Sequence, residues 1–135
     1  MADIVSQKER SRIMSLIRSK NTRPEHVVRK LCTKLGTRYR LHRKDLPGSP
    51  DLVFVSRKTA IFVNGCFWHH HRGCRFAYMP KTRVDFWTAK FAGNQARDLA
   101  ASRALRKAGW RVAVVWECET HNPQKLANRL TRMLK

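Results

Sequence analysis

The chain has 135 residues, of which 29 are Lys or Arg and 9 are Asp or Glu, giving a formal net charge of +20. Its length and its hydrophobic content of 42% suit one domain with a single core. Positive charge in this excess repels itself unless a polyanion is close, and nucleic acid is the natural polyanion. A passive RNA-binding role fits the charge equally well, so charge indicates the class of partner and not the activity.

Residues 1–20 are basic and lack the continuous apolar segment of a signal peptide. No run of about 18 apolar residues exists, so the sequence predicts no membrane span. Four cysteines without a secretory signal indicate a reducing compartment, where thiols bind metals more often than they form disulfides. We therefore expect a cytoplasmic protein with a basic N-terminal arm or helix at 1–20 and a folded domain at 21–135.

The apolar pattern predicts elements in the order α-β-β-β-α-β-α. Three segments are expected to be helices: from Asn21 or Thr22 to Gly36, from Thr82 or Asp85 to Lys107, and from Asn122 onward. Four apolar runs are expected to be strands: 39–41, 51–55, 59–63 and 110–116. The second and third of these strands are close enough to form a hairpin. This order predicts a single α/β domain with a mixed central sheet flanked by helices.

The long helix that ends near Lys107 carries residues with two different expected roles. Its core-facing residues are expected to be Phe86, Ala89 or Ala92, Ala96, Leu99 and Leu105. Trp87, Lys90 and Asn94 follow at i, i+3 and i+7 and therefore share one face. An aromatic ring, an ammonium group and an amide in one row suit contacts with nucleic-acid bases.

The segment 61–74, IFVNGCFWHHHRGC, holds the densest group of reactive side chains in the chain. Thiolate and imidazole are the usual zinc ligands, and a tetrahedral site needs four of them. Cys66, Cys74 and one or more of the histidines at 69–71 supply three, and Cys118 at the end of another predicted strand supplies the fourth. The alternative is a loop with surface histidines and two buried thiols that act as small hydrophobic groups.

Asp51 is a candidate for catalytic chemistry. It begins a buried strand directly after Pro50, where an unpaired carboxylate is costly, and Mg²⁺ favours such oxygen ligands. The hairpin is expected to return the carbonyl of Val63 and the side chain of Asn64 to the same end. His69 follows five residues after Asn64 and is a candidate general base. An Asp at a strand start is also a common turn residue, which is the alternative interpretation.

The segments PDLVF, AIFVNGCFWHHH, PKTRVDFW, KFAGNQARD and GWRVAVVWEC resemble the very short patch repair (Vsr) endonucleases. The likeness covers roughly residues 8–120. It implies the PD-(D/E)xK restriction-endonuclease-like fold with a structural zinc site. It also implies an enzyme that nicks one DNA strand on the 5′ side of the thymine in a T:G mismatch, the lesion left by deaminated 5-methylcytosine.

The resemblance implies a role for each residue of the site. Asp51 and the backbone oxygen of Val63 would bind Mg²⁺, and His69 would act as the general base. Glu25 would support the active site, although the helix dipole favours an acid at that position whatever its function. The implied zinc ligands are Cys66, His71, Cys74 and Cys118. The implied DNA-contacting residues are Met14, Phe67, Trp68, Trp87, Lys90, Asn94 and Asp98.

Two positions depart from the family pattern. Asn64 stands where the best-known members carry a second active-site His, and an amide hydrogen-bonds a water but cannot transfer a proton. The segment between His71 and Cys74 is one residue longer than expected, which leaves His70 as an alternative zinc ligand. The (D/E)xK half of the fold's signature is missing here as in the family, so His69 takes over the role of the base.

The implied partner is double-stranded DNA with a T:G mismatch in the bacterial nucleoid, and the resemblance adds cooperation with the mismatch-repair protein MutL. We expect a monomer without membrane contact. Two other functions fit the sequence. One is a non-enzymatic, zinc-stabilised nucleic-acid-binding protein, and the other is a nuclease of the same fold with a different DNA substrate.

Overall fold

A computed structural model describes residues 22–135, which form three helices and four strands. The helices are α1 (Arg23–Lys34), α2 (Val84–Lys107) and α3 (Pro123–Met133). The strands are β1 (Arg40–Leu41), β2 (Leu52–Phe54), β3 (Thr59–Asn64) and β4 (Arg111–Trp116). In this part of the chain every helix is too short or too polar to cross a bilayer. The predicted arm at 1–20, with Met14, lies outside the described residues.

The four strands form one mixed sheet in the order β1-β2-β3-β4. β2 and β3 are antiparallel neighbours with Leu52 opposite Ile61, and a short 3-10 turn at Val55–Arg57 joins them. β3 and β4 run parallel, and α2 lies in the connection between them. The predicted hairpin and the mixed α/β architecture are therefore confirmed.

Helices cover both faces of the sheet. The main buried cluster joins β2, β3 and β4 to α1 and α3, and it comprises Val28, Cys32, Leu52, Phe54, Ile61, Val115, Leu126, Leu130 and Leu134. Burial raises the pKa of the Cys32 thiol to about 12, as expected for a cysteine that packs as a small hydrophobic group. Successive strand residues point to opposite faces, so Phe62 lies on the other side of the sheet from Ile61, toward α2.

Gly48 sets how closely α2 approaches the turn before β2. Its φ is +75°, a region that favours glycine. A Cβ at this position would lie 2.6 Å from Cβ of Ala101 in α2 and 3.1 Å from the ring of Phe62. Any larger residue would push this turn away from α2 and displace Asp51, which follows three residues later.

The predicted core-facing stripe of α2 is wrong except at Leu105. The buried residues of this helix are Phe91 and Leu105, whereas Phe86 and Leu99 are 45% and 50% exposed. The helix is 24 residues long and has two different partners. Its first half packs on aromatic rings of the loop after β3, for example Phe91 on Phe67, and its second half packs on the sheet. A single row of apolar residues along one face of α2 therefore does not contact both partners.

This difference between Leu105 and Leu99 gives a stability prediction. Leu105→Ala should lower the free energy of unfolding by about 2–5 kcal/mol, because it opens a cavity in a buried site. Leu99→Ala should change it by about 0.5 kcal/mol or less, as at other exposed positions. Urea denaturation followed by circular dichroism measures both values. Equal losses for the two variants would contradict the described packing of α2.

Candidate active site and metal centre

Three polar side chains from separate elements meet beside the start of β2. Glu25 comes from α1, His42 from the residue after β1, and Asp51 from the residue before β2. Their ligand atoms all lie within 4.8 Å of one another, and Nε2 of His42 contacts Oε1 of Glu25. Glu25 is only 2% exposed, so its carboxylate faces this cluster and not the solvent around the first turn of α1. We call Glu25, His42 and Asp51 the carboxylate cluster.

Asp51 is held in place by β3. Its Oδ2 accepts a hydrogen bond from the N–H of Val63 at 2.7 Å, so the hairpin does bring these two residues together. Burial, with the Glu25 carboxylate close by, raises the pKa of Asp51 to about 6, although the Val63 N–H acts in the opposite direction. Two carboxylates that crowd each other in this way are stabilised in their ionised forms by a shared cation. Their oxygen atoms therefore fit a hard divalent cation such as Mg²⁺.

His42 is a residue of the cluster that sequence reasoning missed. It follows a strand of two residues, so no periodic pattern marked the direction of its side chain. Its φ is +48°, and its N–H donates to the backbone oxygen of Asp51 at 3.1 Å. The only sequence signal was a histidine shortly before the Pro50–Asp51 pair.

Asn64 occupies the last position of β3, opposite Trp116 of β4, and is 6% exposed. The side chain of Val63 packs against the core formed with α1 and α3. Because side chains alternate along a strand, Asn64 points to the other face of the sheet, which α2 covers. The amide therefore lies at the point where β3 passes into the loop that carries His69.

His69 is oriented by α2. Its Nδ1 and Oδ2 of Asp98 are 2.6 Å apart, and the ring is partly open to solvent. A carboxylate on Nδ1 favours the tautomer with the proton on that nitrogen, which leaves the Nε2 lone pair available. His69 makes this contact with Asp98 and is not a member of the carboxylate cluster. A turn in which its N–H donates to the Gly65 oxygen at 3.1 Å keeps its backbone near the end of β3.

Two neighbouring residues of α2 hold the same loop. Nδ2 of Asn94 donates to the backbone oxygen of Trp68 at 2.6 Å, and Nε2 of Gln95 donates to that of His70 at 3.3 Å. With Asp98 on His69, three side chains of one helix thus hold three consecutive loop residues. The amide of Asn94 and the carboxylate of Asp98 position the loop in this structure. Lys90, one turn earlier on α2, is exposed.

The four predicted zinc ligands lie together. The sulfur or ring nitrogen atoms of Cys66, His71, Cys74 and Cys118 all fall within 4.8 Å of one another. Nδ1 of His71 is 3.7 Å from Sγ of Cys66 and 3.6 Å from Sγ of Cys118. Zinc bonds of standard length at the tetrahedral angle put sulfur and nitrogen roughly 3.5–3.6 Å apart. This cluster, here the Cys/His centre, therefore fits a tetrahedral metal ion.

Electrostatics in the Cys/His centre also favour a cation. Burial raises the pKa of Cys66 to about 12 and raises that of Cys118, so these thiols stay protonated unless a cation stabilises the thiolates. The backbone N–H of Phe76 lowers the pKa of Cys74.

The segment between His71 and Cys74 forms a tight turn, in which the N–H of Cys74 donates a hydrogen bond to the backbone oxygen of His71 at 3.2 Å.

The three consecutive histidines have three different surroundings. His69 contacts Asp98, and His71 joins the Cys/His centre while its ring stacks on Trp116 at 4.0 Å. His70 stacks on Phe91 at 4.3 Å, away from the four-residue centre. The geometry therefore favours His71 over His70 as the metal ligand.

Two glutamates support the Cys/His centre from the turn after β4. Oε1 of Glu117 accepts the Cys66 N–H at 3.3 Å. Both carboxylate oxygens of Glu119 lie 2.6 Å from Nη1 of Arg129 in α3, and Oε1 also accepts the Trp116 N–H at 2.9 Å. Sequence reasoning missed both residues, because nothing in their spacing links them to residue 66 or residue 129.

An aromatic surface adjoins the loop that carries His69. Phe67 lies at its centre, with ring centroids 5.1–5.3 Å from those of Trp68, Tyr78, Trp87 and Phe91. Phe67, Trp68 and Trp87 are half-buried among one another, while Tyr78 and Phe86 are 62% and 45% exposed. Exposed apolar groups that lie together indicate an interaction surface.

The site defines the class of protein. Side chains that fit a hard cation, with an oriented imidazole on the adjoining loop, suit hydrolysis of a phosphodiester. The charge of +20 favours nucleic acid as the source of that phosphodiester. The fold and site together are those of a metal-dependent nuclease.

Comparison with known proteins gives the family. The sequence model for DNA mismatch endonuclease Vsr matches residues 2–75 of this chain. The type II nicking enzyme V.XorIIP of Xanthomonas oryzae pv. oryzae is 52% identical over 99% of this chain and 98% of that protein. The DNA mismatch endonuclease Vsr of Escherichia coli is 38% identical over 100% of this chain and 86% of that protein. The chain belongs to the Vsr family of DNA mismatch endonucleases, which confirms the predicted resemblance and the class of enzyme.

The positions of His70 and His71 give a prediction about bound metal. His71→Gln should lose the metal ion of the Cys/His centre, because the centre is left with three ligands. His70→Gln should keep about one ion per chain, because His70 stacks on Phe91 and lies outside the centre. Elemental analysis after dialysis, with thermal melts in parallel, measures both. Metal retained by His71→Gln and lost by His70→Gln would reverse the assignment.

Proposed function

We propose that this protein nicks one strand of double-stranded DNA on the 5′ side of the thymine in a T:G mismatch, by Mg²⁺-dependent phosphodiester hydrolysis. The observation that carries the proposal is the pairing of two arrangements at one end of the sheet. Asp51 bonds to Val63 within the carboxylate cluster, and His69 is oriented by Asp98 on the loop that follows β3. Membership of the family supports the DNA substrate.

Asp51, the backbone oxygen of Val63 and Glu25 are the groups we assign to Mg²⁺. The cation supplies positive charge for the phosphate oxygens and acidifies a water molecule. Asp51 fixes the position through its bond to Val63, and Glu25 adds negative charge from the buried side. Without compensating charge, these acids would repel a DNA phosphate.

His69 is assigned the role of general base. With Nδ1 held by Asp98, its Nε2 accepts the proton of the attacking water. The turn around Gly65 and the contacts from α2 hold this imidazole against movement of the loop. Asn64 supplies hydrogen bonds near the same water and no proton transfer, so this enzyme relies on His69 for that step.

The Cys/His centre is assigned to structural Zn²⁺. Four protein ligands fill a tetrahedral site and leave no open position for substrate or water. This coordination is typical of a structural site and not of a catalytic one. The centre joins the loop after β3 to the turn after β4 through Cys66 and Cys118. Such sites contribute on the order of 10 kcal/mol to folding, so the metal keeps this loop in shape.

The aromatic surface is assigned to recognition of the mismatch. Phe67, Trp68 and Trp87 are proposed to wedge between base steps, with Met14 of the arm entering from the opposite side. Inserting a side chain between base pairs costs a few kcal/mol of stacking free energy, and this cost is lower beside a mispair. Because of this difference, insertion favours mismatched DNA over fully paired DNA. Lys90 is exposed beside this surface and suits a phosphate or base contact, while Asn94 and Asp98 act through the loop they hold.

The remaining proposals concern the setting of the reaction. We propose that the chain acts as a monomer in the bacterial cytoplasm, on nucleoid DNA, and that it cooperates with a MutL-type mismatch-repair protein. A nuclease of the same fold with another DNA substrate is the second candidate, and Asn64 in place of the family histidine favours it. A protein that binds DNA without cutting it is the remaining alternative.

The first test compares Asp51→Asn with Asp45→Asn on duplexes that differ in one base pair. Asp51→Asn should lower the nicking rate on the T:G duplex by about 10³-fold or more, because the variant loses a negative ligand for Mg²⁺. DNA binding should persist. Asp45 pairs with Arg43 at the surface, so Asp45→Asn is the matched control with activity close to that of the parent protein.

The same assay separates the candidate functions. Nicking of T:G but not T:A duplexes, and only after a divalent cation such as Mg²⁺ is added, is the expected outcome. Nicking at another mispair would favour the second candidate. If the parent protein and Asp51→Asn both bind every duplex and neither nicks any, the remaining candidate is a protein that binds DNA without cutting it.

The second test concerns the orientation of His69. Asp98→Asn should lower kcat by about 10²-fold or more at unchanged DNA affinity, because an amide no longer enforces the productive tautomer of the ring. Asp98→Glu should recover part of the rate, since it restores the carboxylate. Asp85→Asn, on the same helix and exposed, is the control. Steady-state kinetics and DNA titrations give the two quantities, and loss of DNA affinity at constant kcat would contradict the role.

A further inference from the structure

His42 places an imidazole nitrogen inside the carboxylate cluster. Nε2 of His42 contacts Oε1 of Glu25, and Asp51 lies within the same 4.8 Å group of ligand atoms. Glu25 is 2% exposed and Asp51 is half-buried, so the nitrogen faces two oxygen donors in a partly closed space. This arrangement differs from a simple surface ion pair.

The backbone is shaped to bring this ring inward. The φ of His42 is +48°, an uncommon conformation for a residue with a side chain. The N–H of His42 is fixed to the Asp51 oxygen at 3.1 Å, which extends the β1–β2 ladder by one residue pair. The ring position is thereby tied to the residue that the proposed function places at the catalytic cation. Such strain is typical of functional positions.

We propose that His42 is a third side-chain ligand of the catalytic cation, and that it makes this enzyme prefer Mn²⁺ or a similar first-row divalent ion over Mg²⁺. The proposal rests on the proposed function, because it concerns the same site. Carboxylates suit Mg²⁺ and Mn²⁺ alike, whereas an imidazole nitrogen adds affinity for transition ions and little for Mg²⁺. The donor set of Glu25, His42 and Asp51 therefore discriminates between metals.

The test uses the full chain prepared with zinc, without DNA, and Mn²⁺ as the probe. Mn²⁺ binding is followed by electron paramagnetic resonance, and Mg²⁺ binding by competition against Mn²⁺. His42→Gln should weaken Mn²⁺ binding by about tenfold or more and Mg²⁺ binding by less than about threefold. His26→Gln, an exposed histidine of α1, should leave both affinities unchanged.

A second measurement starts from the parent protein, so its main result does not require a variant at position 42 to fold. Pulsed electron paramagnetic resonance of bound Mn²⁺ in the parent protein should show coupling to one directly bound nitrogen. His69→Gln should keep this coupling and His42→Gln should lose it. No nitrogen coupling in the parent protein, or its loss in His69→Gln, would overturn the proposal, as would an equal weakening of Mn²⁺ and Mg²⁺ binding in His42→Gln.

Asp51→Asn distinguishes failure of this inference from failure of the proposed function. If Asp51→Asn abolishes Mn²⁺ binding and His42→Gln leaves it unchanged, the catalytic cation site stands and the role of His42 is refuted. If Asp51→Asn binds Mn²⁺ as the parent protein does, the cation site itself is wrong, and both proposals fall. Loss of binding in both variants, greater for Mn²⁺ than for Mg²⁺ in His42→Gln, supports both.

Discussion

The hydrogen bond from the Val63 N–H to the Asp51 carboxylate is the interaction on which the site depends. It joins the start of β2 to the end of β3, so the antiparallel register of the hairpin decides which groups meet there. A slip of one residue would turn every side chain of β2 to the opposite face and would separate Asp51 from Glu25 and His42. The buried side chains of Leu52 and Phe54 prevent such a slip, because they are part of the main core. The register of the β2–β3 hairpin therefore determines both the packing of the core and the geometry of the site.

The end of β3 also organises the second half of the site. Cys66 follows Val63 by three residues, so one strand leads from the carboxylate cluster into the Cys/His centre. The loop beyond it lacks regular structure up to α2, and its backbone is held at both sides of His69. The Cys/His centre fixes residues 66 and 71, and α2 fixes the oxygens of Trp68 and His70. The imidazole of His69 is thus placed by two independent supports, which explains how the residue proposed as the general base can lie on a loop.

Much of the fold and of the site followed from local pattern. Two apolar runs joined by three residues gave the hairpin and the contact of Asp51 with the end of β3. Ligand chemistry gave Cys66, Cys74 and Cys118, with one or more of the histidines at 69–71. The resemblance supplied the roles and the choice of His71. His42 was missed because its approach to Glu25 depends on a left-handed residue after a two-residue strand, which leaves no periodic signal. The stripe of α2 was wrong because a periodicity argument assumes one packing partner, whereas this helix has two.

The few acidic residues of this basic chain are used mainly to hold other groups in place. Within residues 22–135 the carboxylates with a specific polar contact are Glu25, Asp45, Asp51, Asp98, Glu117 and Glu119. Most of these contacts hold a backbone N–H or a histidine of the site, while Asp45 and Glu119 also pair with arginine. The acids are used for positioning, so most of the positive charge is left to meet a polyanion.

The placement of the acidic residues also bears on the cation in the proposed function. In the proposed function a phosphate approaches the carboxylate cluster, and like charges at close range repel strongly in a partly buried site. The basic surface attracts DNA as a whole, whereas exposed charges more than about 8 Å apart are largely screened from each other in physiological salt. In the proposed function, a cation held between these acids lets a phosphate approach them, so attraction to DNA and cutting of DNA are separable properties of the same chain.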